Sequence, residues 1–348
     1  PEFLEITHMS VTKELQSTIE DMVDEKRGIL AADESSPTIA KRFEAISTEP
    51  TEENRRSYRS TLLSTKGLGD YISGVILFDE TLDQCDDSGM KLPETAWAQN
   101  IVPGVKVDKG KGPLAGAPGD MITYGLDGLE DRLKVYKEKG ARFAKWREVY
   151  PISSHNPTHL GLTANAEMLA RYAAVCQSVG IVPIVEPEVL MDGDHDIHRC
   201  RTVIEQVLHA VFHALHQHKV VLEHIILKPS MVTPGKALSS KAPPHEVAND
   251  TLTVLRRTVP AAVPSINFLS GGQSPEEATE NLNALNQLKD KAPWQLSISY
   301  GRALQQPALK AWMGKTENIA AAQAALLKRA RLNSIARSGE YNPEFEHS

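Results

Sequence analysis

The chain has 348 residues, 41% of them hydrophobic and 24% charged, with 21 prolines spread along its length, a composition that supports a large packed core and excludes a disordered or fibrous protein. Its 45 acidic against 38 basic side chains leave a net charge of -7, which excludes a nucleic-acid binder driven by bulk charge while leaving room for a local basic cleft. Cys85, Cys176 and Cys200 lack CxxC spacing, so a disulfide framework is excluded and a reducing, cytoplasmic setting is expected; no run nears the roughly 18 apolar residues of a membrane span.

Residues 1–9, PEFLEITHM, read as a vector-derived scar, with the native chain beginning near Met9. A helix is expected over 11–26. Eight β-type runs follow: 28–35 (GILAADES), 72–78 (ISGVILF), 101–108 (IVPGVKVD), 141–148 (ARFAKWRE), 181–190 (IVPIVEPEVL), 224–232 (HIILKPSMV), 262–271 (AVPSINFLSG) and 294–301 (WQLSISYG). Helical patterns fall between them at 161–179, 197–219, 245–259 and 275–289. In the second, Cys200, Val203, Ile204, Val207, Leu208, Val211, Phe212 and Leu215 build one apolar stripe at spacings of three and four. Thr163 and Ser274 are the expected caps of the first and last, the latter followed by Pro275. A terminal helix is expected over 316–337, and 339–348 reads as an irregular tail.

Eight strand–helix alternations with no GxGxxG turn predict an α/β protein built as a single (β/α)8 TIM barrel, with an extra N-terminal helix and a C-terminal helix plus tail. One catalytic domain over 10–338 is expected, since no linker divides the chain.

Polar residues gather toward the C-terminal ends of these runs, where a barrel keeps its active site. Period-two alternation sets Asp33 with Ser35, Lys106 with Asp108, Lys145 with Arg147, Glu186 with Glu188, and Lys228 with Ser230 on common faces. Barrel order makes Lys145, Glu186 and Lys228 neighbours. A dry pocket and a second cation both push a lysine toward its nucleophilic, neutral form, so Lys228 beside Lys145 fits imine chemistry. The competing reading pairs the lysines with Glu186 and Asp33 as structural ions, although interior ion pairs seldom repay their desolvation. Glu186, between Pro183 and Pro187 in an apolar run, suits proton transfer, and Glu188 is the alternative carboxylate. Trp146, of opposite parity to Lys145, is expected to face the helices.

Anion sites are expected in the last two loops. LSGGQSPEE sets Ser270, Gly271 and Gly272 before a helix N-terminus, and SYGRAL adds Ser299, Gly301 and the bidentate guanidinium of Arg302. A second anion group is expected from the first loop, through Ser35, Thr38 and Arg42, helped by Lys106 and Arg147. Two phosphate grips flanking an amine imply a substrate with phosphate at both ends. The histidines of 192–198 and 209–218 do not match HExxH, and no metal site is expected.

In chain order, GILAADES, GVKVDKG, FAKWR, PIVEPEVL, LKPSMVTPG, FLSGGQS and SYGRALQ closely resemble class I fructose-bisphosphate aldolase, over nearly the entire chain from about Leu15 to Tyr341. The resemblance implies reversible cleavage of fructose 1,6-bisphosphate to dihydroxyacetone phosphate and glyceraldehyde 3-phosphate. It makes Lys228 the Schiff-base lysine, Glu186 and Lys145 the proton-transfer and intermediate-stabilising pair, and Asp33 the residue at the C4 hydroxyl. Ser270, Gly271, Gly301 and Arg302 match the C1-phosphate site, and Ser35, Thr38, Lys106 and Arg147 the C6-phosphate end. It further implies a cytosolic, glycolytic and gluconeogenic homotetramer that needs no cofactor beyond the covalent imine. Related enzymes end in a terminal tyrosine that assists enamine protonation, whereas this sequence ends at His347-Ser348, and Tyr341 resembles the start of that tail. The competing functions are another imine-forming barrel enzyme, such as a transaldolase or single-phosphate aldolase, and a scaffold with cytoskeletal partners.

Overall fold

The computed structural model describes residues 10–347, so the reading of 1–9 as a scar lies outside the described residues. The strands are β1 (Gly28–Ala32), β2 (Ile72–Leu77), β3 (Val102–Lys106), β4 (Lys111–Pro113), β5 (Met121–Thr123), β6 (Phe143–Tyr150), β7 (Val182–Val189), β8 (Ile226–Leu227), β9 (Ser265–Phe268) and β10 (Gln295–Tyr300). All eight expected runs contribute a strand to one closed barrel, in the order β1-β2-β3-β6-β7-β8-β9-β10, with β10 returning to β1. Strands β4 and β5 are an addition: they pair antiparallel as a hairpin above β3 and β6, in a stretch too short and too rich in glycine and proline to show strand periodicity.

The helices are α1 (Val11–Met22), α2 (Ser36–Glu44), α3 (Glu52–Leu63), α4 (Leu92–Trp97), α5 (Leu129–Glu138), α6 (His159–Ser178), α7 (Ile197–Gln217), α8 (Pro244–Thr258), α9 (Pro275–Asn286), α10 (Arg302–Trp312) and α11 (Ile319–Arg337). In α7 every member of the predicted stripe is buried. Helix α1 stops at Met22, four residues before the expected end, because the Asp24 carboxylate accepts the backbone N–H groups of Lys26 and Arg27 at 2.7 and 2.6 Å and bends the chain into β1. The cap of helix α6 lies five residues before the expected one. Thr158, not Thr163, accepts from Gly161 N at 3.0 Å, and Thr163 instead donates to His159 O within the helix. Gly161 is required there: an added Cβ would lie 2.3 Å from the Asp120 carboxylate.

Strand parity divides the barrel into two environments. Outward residues such as Leu30, Val75, Val105, Trp146 and Val185 join the large core under the helices, and the Trp146 ring packs 5.5 Å from Tyr172 of α6. Inward residues change character with height. Near the N-terminal ends, Ile29, Ile76, Val102, Phe143, Val182 and Ile226 form an apolar plug that α1 closes with Leu15 and Met22. At the other end, the same inward positions become Lys106, Lys145, Glu186 and Lys228. The plug gives this ionic layer a rigid, water-poor base.

The tail is not irregular throughout. Residues Pro343–His347 make a 3-10 turn, and Glu346 accepts from the buried Arg329 at 2.6 Å and from the Tyr341 hydroxyl at 2.7 Å. The Arg329 bond, which no local pattern announces, holds the tail against the terminal helix α11.

Gly104 illustrates how tightly the plug is packed, because a Cβ there would lie 2.3 Å from the Phe143 ring. Gly104→Ala is expected to lower stability by about 1–3 kcal/mol through overpacking. Urea unfolding measures this, and an unchanged midpoint would contradict the packing described.

Candidate active site

Each functional side chain comes from the next inward step above the apolar plug. In the barrel register Lys106 lies opposite Lys145, and Arg147 opposite Glu186. Lys228 follows the short strand β8 and continues its pairing, donating its backbone N–H to Val185 O at 2.8 Å. Parity and register therefore bring together the side chains expected to meet.

At the centre, Glu186 lies between two lysines. Its Oε1 is 3.3 Å from Lys228 Nζ and its Oε2 3.4 Å from Lys145 Nζ, while Lys145 also pairs with Asp33 Oδ2 at 2.7 Å. Lys145, Glu186 and Lys228 are each only 4% exposed. Burial alone would push the Lys145 ammonium to lose its proton, but the carboxylates of Asp33, Glu186 and Asp108 outweigh it and hold the group well above the ordinary lysine range. Burial likewise pulls the Asp33 carboxyl upward, and the positive charges of Lys145, Lys228 and Lys106 overcome that pull and hold it at about 2. Lys145 is thus a fixed cation and Asp33 a fixed anion at neutral pH.

A cavity of about 660 Å³ opens over this cluster. All the expected site residues except Gly272 line it. Gly272 instead takes a left-handed turn at φ +87°, and a Cβ there would strike Met191 at 2.9 Å; its role is to turn the chain. Gly271 does face the cavity, where a side chain would meet Glu188 Oε1 at 2.9 Å.

The two anion-binding ends differ from expectation in two respects. Helix α9 does not offer a free N-terminus, because Ser274 and Glu277 close it with a reciprocal capping box behind Pro275. The open helix end is that of α10, which begins at Gly301 and Arg302 on the cavity wall. Beside it, Ser299 Oγ is buried with no hydrogen-bond partner among the described residues. The second difference concerns Arg42. It belongs to this same end and not with Ser35 and Thr38, since its Nη2 would lie 3.9 Å from a Cβ at Gly301. Burial, and then the charge of Arg42, lower the Arg302 guanidinium below its ordinary value. Glu34 holds Arg42 in place through an ion pair and accepts from Gln305 at 2.7 Å. Strand parity hides Glu34, because it falls between Asp33 and Ser35 and so out of phase with the positions read as facing the site, although it too lines the cavity.

At the opposite end Ser35 and Thr38 meet through their hydroxyls at 3.2 Å, at the start of α2. Lys106 pairs with Asp108 at 2.6 Å, and Arg147 pairs with Glu188. The hairpin adds Lys111 and Thr123 to this wall, residues that strand-end reasoning does not reach. His209, His213 and His216 lie exposed on α7, and among the described residues no group of three or more His, Cys, Asp or Glu side chains is arranged to hold a metal.

A parallel eight-stranded barrel with buried lysines at its mouth and guanidinium groups at both ends of its cavity has the parts of a barrel enzyme for anionic substrates. The family model described as fructose-bisphosphate aldolase class-I matches residues 14–348. Fructose-bisphosphate aldolase 4, cytosolic, of Arabidopsis thaliana is 56% identical over 320 residues, covering 92% of this chain and 81% of the relative. Fructose-bisphosphate aldolase C of Homo sapiens is 53% identical over 335 residues, covering 96% and 92%. A solved fructose-bisphosphate aldolase from Plasmodium falciparum, in complex with TRAP and a small-molecule inhibitor, superposes with a TM-score of 0.93 at 50% identity, covering 95% of this chain and 96% of that one. The chain belongs to the class-I fructose-bisphosphate aldolase family, and it is an aldolase, a carbon–carbon lyase.

The low value of the Asp33 carboxyl is a stability statement. Its contribution is fully present above the ordinary value of 3.8 and is lost as pH falls through about 2. Asp33→Asn is expected to cost roughly 2 kcal/mol at pH 7, with the gap to the wild type closing between about pH 4 and pH 2. Urea midpoints across that range measure it, and a gap independent of pH would contradict the Asp33–Lys145 pairing.

Proposed function

We propose that the cavity cleaves fructose 1,6-bisphosphate reversibly to dihydroxyacetone phosphate and glyceraldehyde 3-phosphate through an imine on Lys228. The observation that carries this reading is a buried amine 3.3 Å from a carboxylate that a second, permanently charged lysine also contacts. The Lys228 nitrogen lone pair adds to the C2 carbonyl; the nitrogen gives one proton to the oxygen to form a carbinolamine, and a second proton on that oxygen lets it leave as water. Glu186, within reach of the amine, is the proposed carrier of these protons. The resulting iminium draws the C3–C4 bonding electrons toward nitrogen, giving an enamine on Lys228 and an aldehyde at C4.

The C4 hydroxyl proton leaves to a carboxylate. With its carboxyl held at about 2, Asp33 is a weak base, which favours an orienting role for it and leaves Glu186 as the acceptor, with Glu188 as the alternative. Lys145 balances the negative charge that develops on these oxygens. Protonation of the enamine at C3 and hydrolysis then release dihydroxyacetone phosphate and restore the amine. The C1 phosphate is assigned to Ser270, Gly271, Ser299, Gly301, Arg302 and Arg42, and the C6 phosphate to Ser35, Thr38, Lys106 and Arg147. No metal or other cofactor enters this scheme.

The wider setting is also proposed. The Arabidopsis relative is named cytosolic, and the cytoplasm is the compartment assigned to this chain. No helix among the described residues is long and apolar enough to cross a membrane. A homotetramer is the proposed assembly, to be read from the mass in solution. The Plasmodium falciparum relative was solved in complex with TRAP, which supports a second, non-catalytic partner role.

Borohydride reduction in the presence of dihydroxyacetone phosphate is expected to label Lys228, as read by peptide mass mapping. Lys228→Ala should abolish the label, whereas Arg302→Ala should mainly raise the concentration of ketose phosphate needed for it. Labelling at another residue, or equal loss of label in both variants at saturating substrate, would sink the assignment.

A further inference from the structure

Glu148 is a carboxyl that the proposed chemistry does not use. It is fully buried on the outward face of β6, beside Trp146 and Arg147. No ion pair compensates it among the described residues; its two partners are neutral N–H donors. Trp146 Nε1 donates to Oε1 at 2.8 Å, and Thr123 N donates to Oε2 at 3.2 Å. Thr123 answers with its own hydroxyl, which donates to Arg147 O at 2.9 Å.

Thr123 is the last residue of β5 and stands opposite Lys111 in the hairpin register. Both residues line the cavity. The Glu148 carboxyl is therefore the buried pin between the hairpin wall and the strand that carries Arg147. Tyr172 of α6 packs on Trp146 from behind, and Asn165 of the same helix donates to Met121 O at 3.0 Å, so the base of the hairpin is held from both sides.

We propose that Glu148 is a positioning residue that pins the hairpin wall at the Lys106–Arg147 end of the cavity and makes the grip on the second phosphate depend on pH. This rests on the aldolase reading and adds a group acting through Arg147 and the hairpin. Burial raises the Glu148 carboxyl to about 8, with a further push from the negative charge of Asp108. Asp108 faces Glu148 from the loop after β3 and also touches the electrostatics of Arg147. From its own strand, Tyr150 shares the same buried surroundings, its hydroxyl without a hydrogen-bond partner among the described residues. Helix α6 presents the Tyr172 hydroxyl, bonded to Ile184 O at 3.1 Å, and α5 presents Arg132, which donates to Val107 O at 2.9 Å. At neutral pH the carboxyl is largely protonated and the wall is uncharged beneath. Above about 8 it ionises, and a new negative charge behind Arg147 opposes a phosphate dianion at that end alone.

The test is the ratio of KM for fructose 1,6-bisphosphate to KM for fructose 1-phosphate, followed from about pH 6.5 to about pH 9.5. Effects common to both substrates, including those on the imine lysine, cancel in the ratio. The wild type should show a rise of about fivefold centred near pH 8, and Glu148→Gln should flatten it. A ratio flat with pH in the wild type overturns the proposal without any variant being needed, and so does an undiminished rise in Glu148→Gln. Absence of turnover with either sugar would instead strike the aldolase reading itself.

Discussion

The sharing of one buried carboxylate between two buried lysines is the constraint on which the rest of this molecule depends. Glu186 lies 3.3 Å from Lys228 and 3.4 Å from Lys145, with Asp33 closing the group at 2.7 Å from Lys145. Removing the carboxylate that both lysines share leaves uncompensated charge in a low-dielectric site, a loss of about 3–5 kcal/mol. Two hydrophobic residues of the same size would serve stability as well or better. The cluster therefore makes sense as stored chemistry, kept in place by the barrel around it.

That demand explains the vertical division of the barrel. Inward positions on one strand read Phe143, Lys145, Arg147 and on the next Val182, Ile184, Glu186, Glu188, so a single parity runs from a dry floor to a charged mouth. Helix α1 seals the floor from below with Leu15 and Met22. Without that seal water would reach the ionic layer from the far end and screen the interactions that hold Asp33 at about 2.

The two ends of the cavity are built by different means. At one end the α10 N-terminus, the buried Ser299 hydroxyl and the Arg42–Arg302 pair provide a fixed positive site, with Glu34 and Gln305 holding Arg42 from behind. At the other end charge is supplied by Lys106 and Arg147, both already paired with carboxylates, and by a hairpin pinned on a buried acid. The first end is preorganised by helix and loop backbone. The second depends on side-chain pairs and on one ionisable carboxyl, which makes it the more sensitive to its surroundings.

Much of this was legible in the sequence. Strand periodicity located all eight barrel strands, and parity alone brought Lys145, Glu186 and Lys228 to one face, because alternation and burial are local properties that each run carries in itself. What stayed hidden depends on partners distant in the chain. The α6 start at Thr158 rests on Asp120, whose carboxylate accepts from the Thr158 hydroxyl at 2.6 Å, the fit of Gly161 on that same carboxylate, the placement of Arg42 on Gly301, and the docked tail on Arg329. The β4–β5 hairpin lies in a glycine- and proline-rich segment with too few residues for a period to show, and its docking on Glu148, Arg147 and Asn165 gives it a fixed place. The sequence by itself determined which residues face inward and what charge they bring. Tertiary structure alone decided which of those charges are paired, which are left without water, and hence which groups are perturbed, because desolvation and Coulomb interaction depend on distances through space that chain order does not specify.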